Sequence, residues 1–316
     1  MTHPSIDLAA IQRAAKRIEP FIHRTPIITS SQLDAIAGTA VRIKAEHLQK
    51  VGAFKARGAH NAVLQADATH GFATHSSGNH GAALALAARN VGARALVVMP
   101  DNAPLVKRAA VASYGAEIIP CEPTQEAREA TLASVLEKTG AHFVHPYEDP
   151  DVICGQGTAG LEIAEQCADE PPDAVVVPVG GGGLLSGVAT AMKALEPGCE
   201  IIGAEPAGAD DAQRGFRSGN WEPQRNPQTI ADGLRTSLGH PNFALIRESV
   251  DDILTVSDEA TIEAMKACWQ FTKQIIEPSA AVALAVVLTH RERFKGRRVV
   301  VIATGGNLDL QNLPWS

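Results

Sequence analysis

Asp173-Ala174-Val175-Val176-Val177-Pro178-Val179-Gly180-Gly181-Gly182-Gly183-Leu184 runs from an apolar segment through four consecutive glycines into a helical stretch, residues 184–195. An unbroken apolar run of this length reads as a strand covered on both faces, the habit of parallel sheets flanked by helices. The glycines strip every side chain from the end of that strand. Backbone N–H groups can then close around an anion at the positive end of the next helix. Phosphate is the natural guest. A tight turn is the other reading, and four glycines exceed what a turn needs. No Gly-Lys-Ser/Thr follows, and the spacing is not Gly-x-Gly-x-x-Gly, so neither nucleotide fingerprint is present.

The same alternation extends outward in both directions. Strand candidates at 71–75, 93–99, 116–120 and 141–145 interleave with helix candidates at 79–91, 103–114 and 124–139, giving one α/β block over 71–148. Helices at 157–168, 184–195, 258–275 and 278–289 and strands at 173–179, 200–205 and 298–303 give a second block. It is joined by an N-terminal helix (6–18), a strand (41–46) and a helix beginning near 57. Residues 208–230 read as an irregular functional excursion. Two α/β blocks imply a cleft between them, a favoured place for a small molecule.

The totals narrow the function classes. A chain of 316 residues with net charge −7 and no basic block does not suit nucleic acid or an anionic membrane. No apolar run approaches the length of a membrane span, and the N-terminus lacks the apolar core of a secretory signal. Five scattered cysteines without a Cys-x-x-Cys read as reduced thiols of a cytoplasmic protein.

Three further stretches carry chemistry. In Val51-Gly52-Ala53-Phe54-Lys55-Ala56-Arg57-Gly58, Lys55 lies in a small, apolar run. A desolvated lysine loses its proton readily and attacks carbonyls, whereas an isolated one is more often a snorkelling surface residue. Thr74-His75-Ser76-Ser77-Gly78-Asn79-His80-Gly81 joins a strand to a helix and offers hydroxyls and an amide to a carboxylate, beyond what capping requires. Thr304-Gly305-Gly306-Asn307 ends the last strand in the same manner. Ligands of parallel sheets sit beyond the carboxyl ends of strands. A lysine, a phosphate cradle and a carboxylate cradle at one such edge describe an enzyme of pyridoxal phosphate. Glu205 and Asp211, with the Ala209 carbonyl between them, suit either a hard cation held by oxygen ligands or a solvated acidic loop.

These motifs, in this order, resemble the fold-type II pyridoxal-phosphate enzymes of the serine/threonine dehydratase and serine racemase group, from Arg24-Thr25-Pro26 to Asn307-Leu308-Asp309. The resemblance implies a two-domain α/β fold like that of tryptophan synthase β. Residues 1–70 and 149–316 would form a large cofactor domain and 71–148 a small mobile one. It implies Lys55 as the lysine that holds the cofactor and Phe54 as the residue stacked on its ring. Asn79 would partner the ring hydroxyl, Gly180, Gly181, Gly182 and Gly183 the phosphate, and Thr304 the ring nitrogen. Ser77 would be a second base on the face opposite Lys55. Ser76, Ser77, Asn79 and His80 would hold the substrate carboxylate. Glu205, Ala209 and Asp211 would bind a divalent cation such as Mg²⁺, and relatives imply a homodimer.

Cys121-Glu122-Pro123-Thr124-Gln125-Glu126-Ala127-Arg128 resembles serine racemases and 3-hydroxyaspartate dehydratases, while the 145–150 segment and the terminal 307–315 segment look most like bacterial hydroxyaspartate dehydratases. Arg128 then has two readings. It binds a second substrate carboxylate, or it forms a surface salt bridge with Glu122 or Glu129. The implied reaction is elimination of water and ammonia from a β-hydroxy amino acid, with serine racemisation as the alternative.

Overall fold

The computed structural model describes residues 5–76, 78–103 and 105–315. In chain order its elements are α1 (Leu8–Ile18), β1 (Ile27–Thr29), α2 (Ser31–Ala37), β2 (Ala40–Lys44), α3 (Lys55–Val63), β3 (Phe72–His75), α4 (Asn79–Asn90), β4 (Ala95–Pro100), α5 (Leu105–Ser113), β5 (Glu117–Cys121), α6 (Gln125–Thr139) and β6 (His142–Phe143). There follow α7 (Pro150–Gln166), β7 (Ala174–Pro178), α8 (Gly183–Leu195), β8 (Glu200–Pro206), α9 (Asp211–Ser218), α10 (His240–Ser249), β9 (Asp252–Val256), α11 (Asp258–Thr272), α12 (Pro278–Thr289), α13 (Arg291–Phe294) and β10 (Arg298–Ile302).

The strands form two sheets. The larger has the order β1-β2-β10-β7-β8-β9, and β1 alone pairs antiparallel. The smaller, β5-β4-β3-β6, is wholly parallel and lies within the 71–148 block. Each sheet is covered on both faces, as its apolar strands demand. Along β7, Ala174 and Val176 enter the core beneath α11 and α12, while Val175 and Val177 enter the one beneath α8. In the smaller sheet Phe72, Val97 and Met99 pack with α4, and Ala73, Leu96 and Val98 pack with α6. Because β2, β10, β7 and β8 run parallel, the segments following all four leave the larger sheet at one edge.

Three sequence expectations need correction. The helix expected at 157–168 begins at Pro150: Asp149 accepts from the N–H groups of Asp151 and Val152, and Pro150 fits the first turn. Gly155, Gly157 and Gly160 weaken its helical signal, yet they are what lets neighbouring helices approach. A Cβ at Gly155 would lie 2.6 Å from the Gly58 Cα of α3. The 208–230 excursion contains α9, and α3 begins at Lys55 itself. No sequence signal had marked α2, α10 or β9.

A buried charge cluster fixes the start of α3. Arg57, fully buried, donates to both oxygens of Glu46 (2.7 and 2.8 Å) and to Glu162 Oε1 (2.8 Å). Lys44 Nζ donates to Glu162 Oε2 and to the Thr25 carbonyl. Two cations and two carboxylates satisfy one another, the condition under which buried charge is tolerated. The first turn of α3 is thereby pinned to β2 and α7.

Candidate active site

Lys55 opens α3 at the end of a strained approach. Val51 and Gly52 both have positive φ, 57° and 69°, which a β-branched residue adopts only under constraint. The constraint is visible. Asn307 Nδ2 donates to the Val51 carbonyl at 2.8 Å, and Phe54 N donates to Thr304 O at 3.0 Å. Gly306 N donates to Gly52 O, and Ala53 bridges Gly305. The lysine motif and the Thr304–Asn307 motif, remote in sequence, therefore form one backbone unit.

Asn307 Nδ2 also donates to Asn79 Oδ1, and Asn79 Nδ2 donates to Glu277 Oε1, each at 2.8 Å. Glu277 was not foreseen. In the sequence it precedes Pro278 at a helix start and reads as an N-cap. In the structure its side chain caps nothing and turns to Asn79. Burial, reinforced by Asp232, pushes its carboxyl up to about 7. The folded state thus holds this proton more tightly than the unfolded chain does. Its contribution to stability falls as pH rises from the ordinary carboxyl range near 4.5 to about 7 and is level above that. Thermal unfolding at pH 5 and pH 8 checks this. Wild type is expected to lose up to roughly 3 kcal/mol more than Glu277→Gln between those values; equal losses would contradict it.

Lys55 Nζ donates to the Pro146 carbonyl at 2.8 Å and lies 5.0 Å from the centre of the Phe54 ring. Burial lowers its pKa to about 8, so near-neutral solution already holds a fraction of free amine. The neighbouring imidazoles are kept neutral by burial: His145, lowered to about 4, as well as His75 and His80. His80 Nε2 faces the Val144 carbonyl, an acceptor, so that nitrogen carries the proton. Among the described residues His80 Nδ1 has no partner.

The glycine run follows β7 and opens α8, with Gly182 at φ +89° and no side chain capping the helix. A Cβ on Gly181 would lie 2.2 Å from the Tyr147 ring. The loop from His145 to Tyr147 therefore touches Lys55 on one side and the glycine cradle on the other. The α4 N-terminus, behind Gly78, likewise has no side-chain cap among the described residues; its first N–H groups have no partner within the helix. Ser76 Oγ accepts from Gly78 N. Ser77 lies outside the described residues.

Arg128 sits in the first turn of α6, half-buried, with Nε toward the Thr124 carbonyl. Among the described residues it has no ion pair with Glu122 or Glu129, and its charge acts on His75 and Tyr147. Arg235 donates to the Thr229 carbonyl. Farther along the edge, Glu205 accepts from the N–H groups of Ala212 and Gln213, and Asp211 from Leu238 N and Gln224 Nε2. Burial, and then Asp211, pushes Glu205 well up; Asp211 itself is raised to about 6. No group of three or more His, Cys, Asp or Glu side chains able to hold a metal occurs among the described residues. A cation here would rest on two carboxylates, a carbonyl and water.

Comparison with known proteins agrees with this geometry. The family model described as "Pyridoxal-phosphate dependent enzyme" matches residues 18–305. The chain is 46% identical over 306 residues to a beta-hydroxyaspartate dehydratase of Paracoccus denitrificans, covering 96% of each. It is 46% identical over 315 residues to a serine racemase of Arabidopsis thaliana, covering 97% of this chain and 95% of that one. The structure of maize serine racemase superposes with a TM-score of 0.93 at 42% identity, over 96% of this chain and 94% of that one. Among the described residues no helix is long and apolar enough to cross a membrane. The lysine segment, the glycine run and the Thr304–Asn307 loop follow β2, β7 and β10 of the larger sheet, and Asn79 after β3 of the smaller one bonds to Asn307, in a chain that belongs to the family of pyridoxal-phosphate dependent enzymes.

Proposed function

We propose that this enzyme eliminates water and ammonia from 3-hydroxyaspartate, giving oxaloacetate. The observation that carries the substrate choice is Arg128, a half-buried guanidinium whose charge reaches His75 and Tyr147 and which has no carboxylate partner of its own among the described residues. A similar L-threo-3-hydroxyaspartate ammonia-lyase of Pseudomonas sp. supports it, at 44% identity over 303 residues.

The residues present fit pyridoxal phosphate. Lys55 has an amine of lowered pKa to meet its aldehyde, and residues 180–183 offer a side-chain-free turn to its phosphate. Phe54 would stack on the ring, Asn79 would face the ring hydroxyl, and Thr304 the ring nitrogen. When bound, the cofactor supplies an electron sink conjugated to the substrate amine.

The chain's own residues do the rest. The N–H groups opening α4, at Asn79 and His80, hold the α-carboxylate at the positive end of the helix. The His80 imidazole presents a bare acceptor, so its share falls to its backbone. Ser76 and Ser77 add hydroxyls. Arg128 holds the β-carboxylate. Lys55 Nζ, steadied by the Pro146 carbonyl, takes the α-proton as general base; Ser77 takes it from a substrate of the opposite hand. Where Lys55 Nζ took the α-proton, its return lets the β-hydroxyl leave as water and the amine ends the step as it began; for the opposite hand the proton taken by Ser77 is the one that leaves with the hydroxyl. The enamine so released takes a proton on its β-carbon and loses one from nitrogen to become the imine, which water hydrolyses to the 2-oxo acid and ammonia.

Glu205, Asp211 and the Ala209 carbonyl are proposed to hold Mg²⁺ or a similar cation. Chelation with EDTA is then expected to lower the melting temperature by about 5 °C, with Mg²⁺ restoring it; an unchanged melt would mean that no cation is held there. The five buried thiols suit the cytoplasm, and a homodimer is part of the reading. The substrate is tested by ammonia and oxaloacetate release from the four stereoisomers of 3-hydroxyaspartate, alongside serine and threonine. Oxaloacetate from one hydroxyaspartate pair at the highest kcat/KM is expected. Chiral inversion of serine as the dominant activity would favour the racemase reading instead.

A further inference from the structure

We propose that Asn242 is a positioning residue for the phosphate cradle, an inference that rests on the reading of residues 180–183 as that cradle. Asn242 lies on α10, 61 positions from Gly181 in sequence, and is fully buried. Its Nδ2 donates to the Gly181 carbonyl at 2.6 Å and to the Tyr147 carbonyl at 2.9 Å. Both partners only accept, so the amide orientation is settled. Gly239 N donates to the same Gly181 carbonyl at 3.1 Å. Asn242 Oδ1 has no partner among the described residues, a cost that a folded core rarely carries without use.

The consequence follows from peptide geometry. The Gly181 carbonyl and the Gly182 N–H belong to one planar trans unit and point in opposite directions. Two donors anchored on α10 and its cap hold the carbonyl, so the Gly182 N–H is held facing away from α10. The glycine at 182 is required for the clamp itself. Its φ is +89°, and a Cβ there would lie 2.9 Å from Asn242 Cβ. The second bond, to Tyr147 O, ties the cradle to the loop whose Pro146 carbonyl receives Lys55. One side-chain amide thus sets the direction of a phosphate-facing N–H and its distance from the lysine.

Asn242→Asp replaces the donating NH₂ by an oxygen facing two carbonyl oxygens; Asn242→Ala removes it without charge. The readout is the dissociation constant of the apoenzyme for pyridoxal phosphate and for pyridoxal, which differ in the phosphate alone. Wild type is expected to prefer the phosphorylated form strongly. Each variant that retains a cooperative melt is expected to lose about 10- to 100-fold of that preference, with pyridoxal affinity little changed. A purely structural role would weaken both ligands alike, or neither, and either result overturns the proposal. Should the aspartate variant fail to fold, the alanine variant decides between the same outcomes. No preference in wild type would overturn the cradle reading and this inference with it. A strong preference kept intact in both variants overturns this inference alone.

Discussion

Lys55→Ala is expected to lower turnover by about 10⁴-fold or more and to remove the visible absorbance of lysine-bound cofactor. The size follows from the two duties proposed for one atom, capture of the cofactor aldehyde and transfer of the α-proton. Neither is easily replaced. The other nearby basic side chains are imidazoles held neutral, with His145 lowered to about 4 by burial. Arg57, two positions on, is saturated by Glu46 and Glu162. The variant is expected to fold, since among the described residues the Lys55 side chain gives one hydrogen bond, to the Pro146 carbonyl. Absorbance spectra and ammonia release on the same sample check both parts; persistent lysine-type absorbance would mean that another lysine anchors the cofactor.

Arg128→Ala is expected to cut kcat/KM for 3-hydroxyaspartate by roughly 100- to 1,000-fold, the cost of leaving one member of a desolvated charge pair alone. Serine has no second carboxylate, so its turnover is expected to change by no more than about fivefold. The fold loses little, because among the described residues the Arg128 side chain makes one long hydrogen bond, to Thr124 O at 3.4 Å. Arg128→Lys keeps the charge without the planar fork and is expected to fall between the two. Parallel losses on both substrates would place Arg128 outside the substrate site.

What the sequence makes readable is what physics confines to short stretches. The glycine run, the lysine segment and the hydroxyl-rich loop each carry their chemistry within about eight residues, so pattern and composition reveal them. The parallel sheets follow from the apolar runs at 93–99 and 173–179, which admit few other arrangements. The Asn79–Glu277 bond joins residues 198 positions apart, and Glu277 in isolation mimics a helix cap. Asn242 looks like an ordinary polar residue after Pro241 until α10 is laid against the cradle. Arg57 has the composition of a surface residue, and only Glu46 and Glu162 explain its burial. Helix α7 reads too short in the sequence because its glycines lower propensity while serving close packing against Gly58 and Gly187. Tertiary contact overrides local preference in each of these cases.

The claim that four motifs build one cofactor site on Lys55 is tested most directly by covalent mapping. Borohydride reduces the carbon–nitrogen double bond between cofactor and lysine, and peptide mass spectrometry then locates the tag. One phosphopyridoxyl group per chain is expected, on the peptide bearing Lys55 and on that residue within it. A tag on Lys44, Lys50 or Lys107, or none at all on the active enzyme, would contradict it.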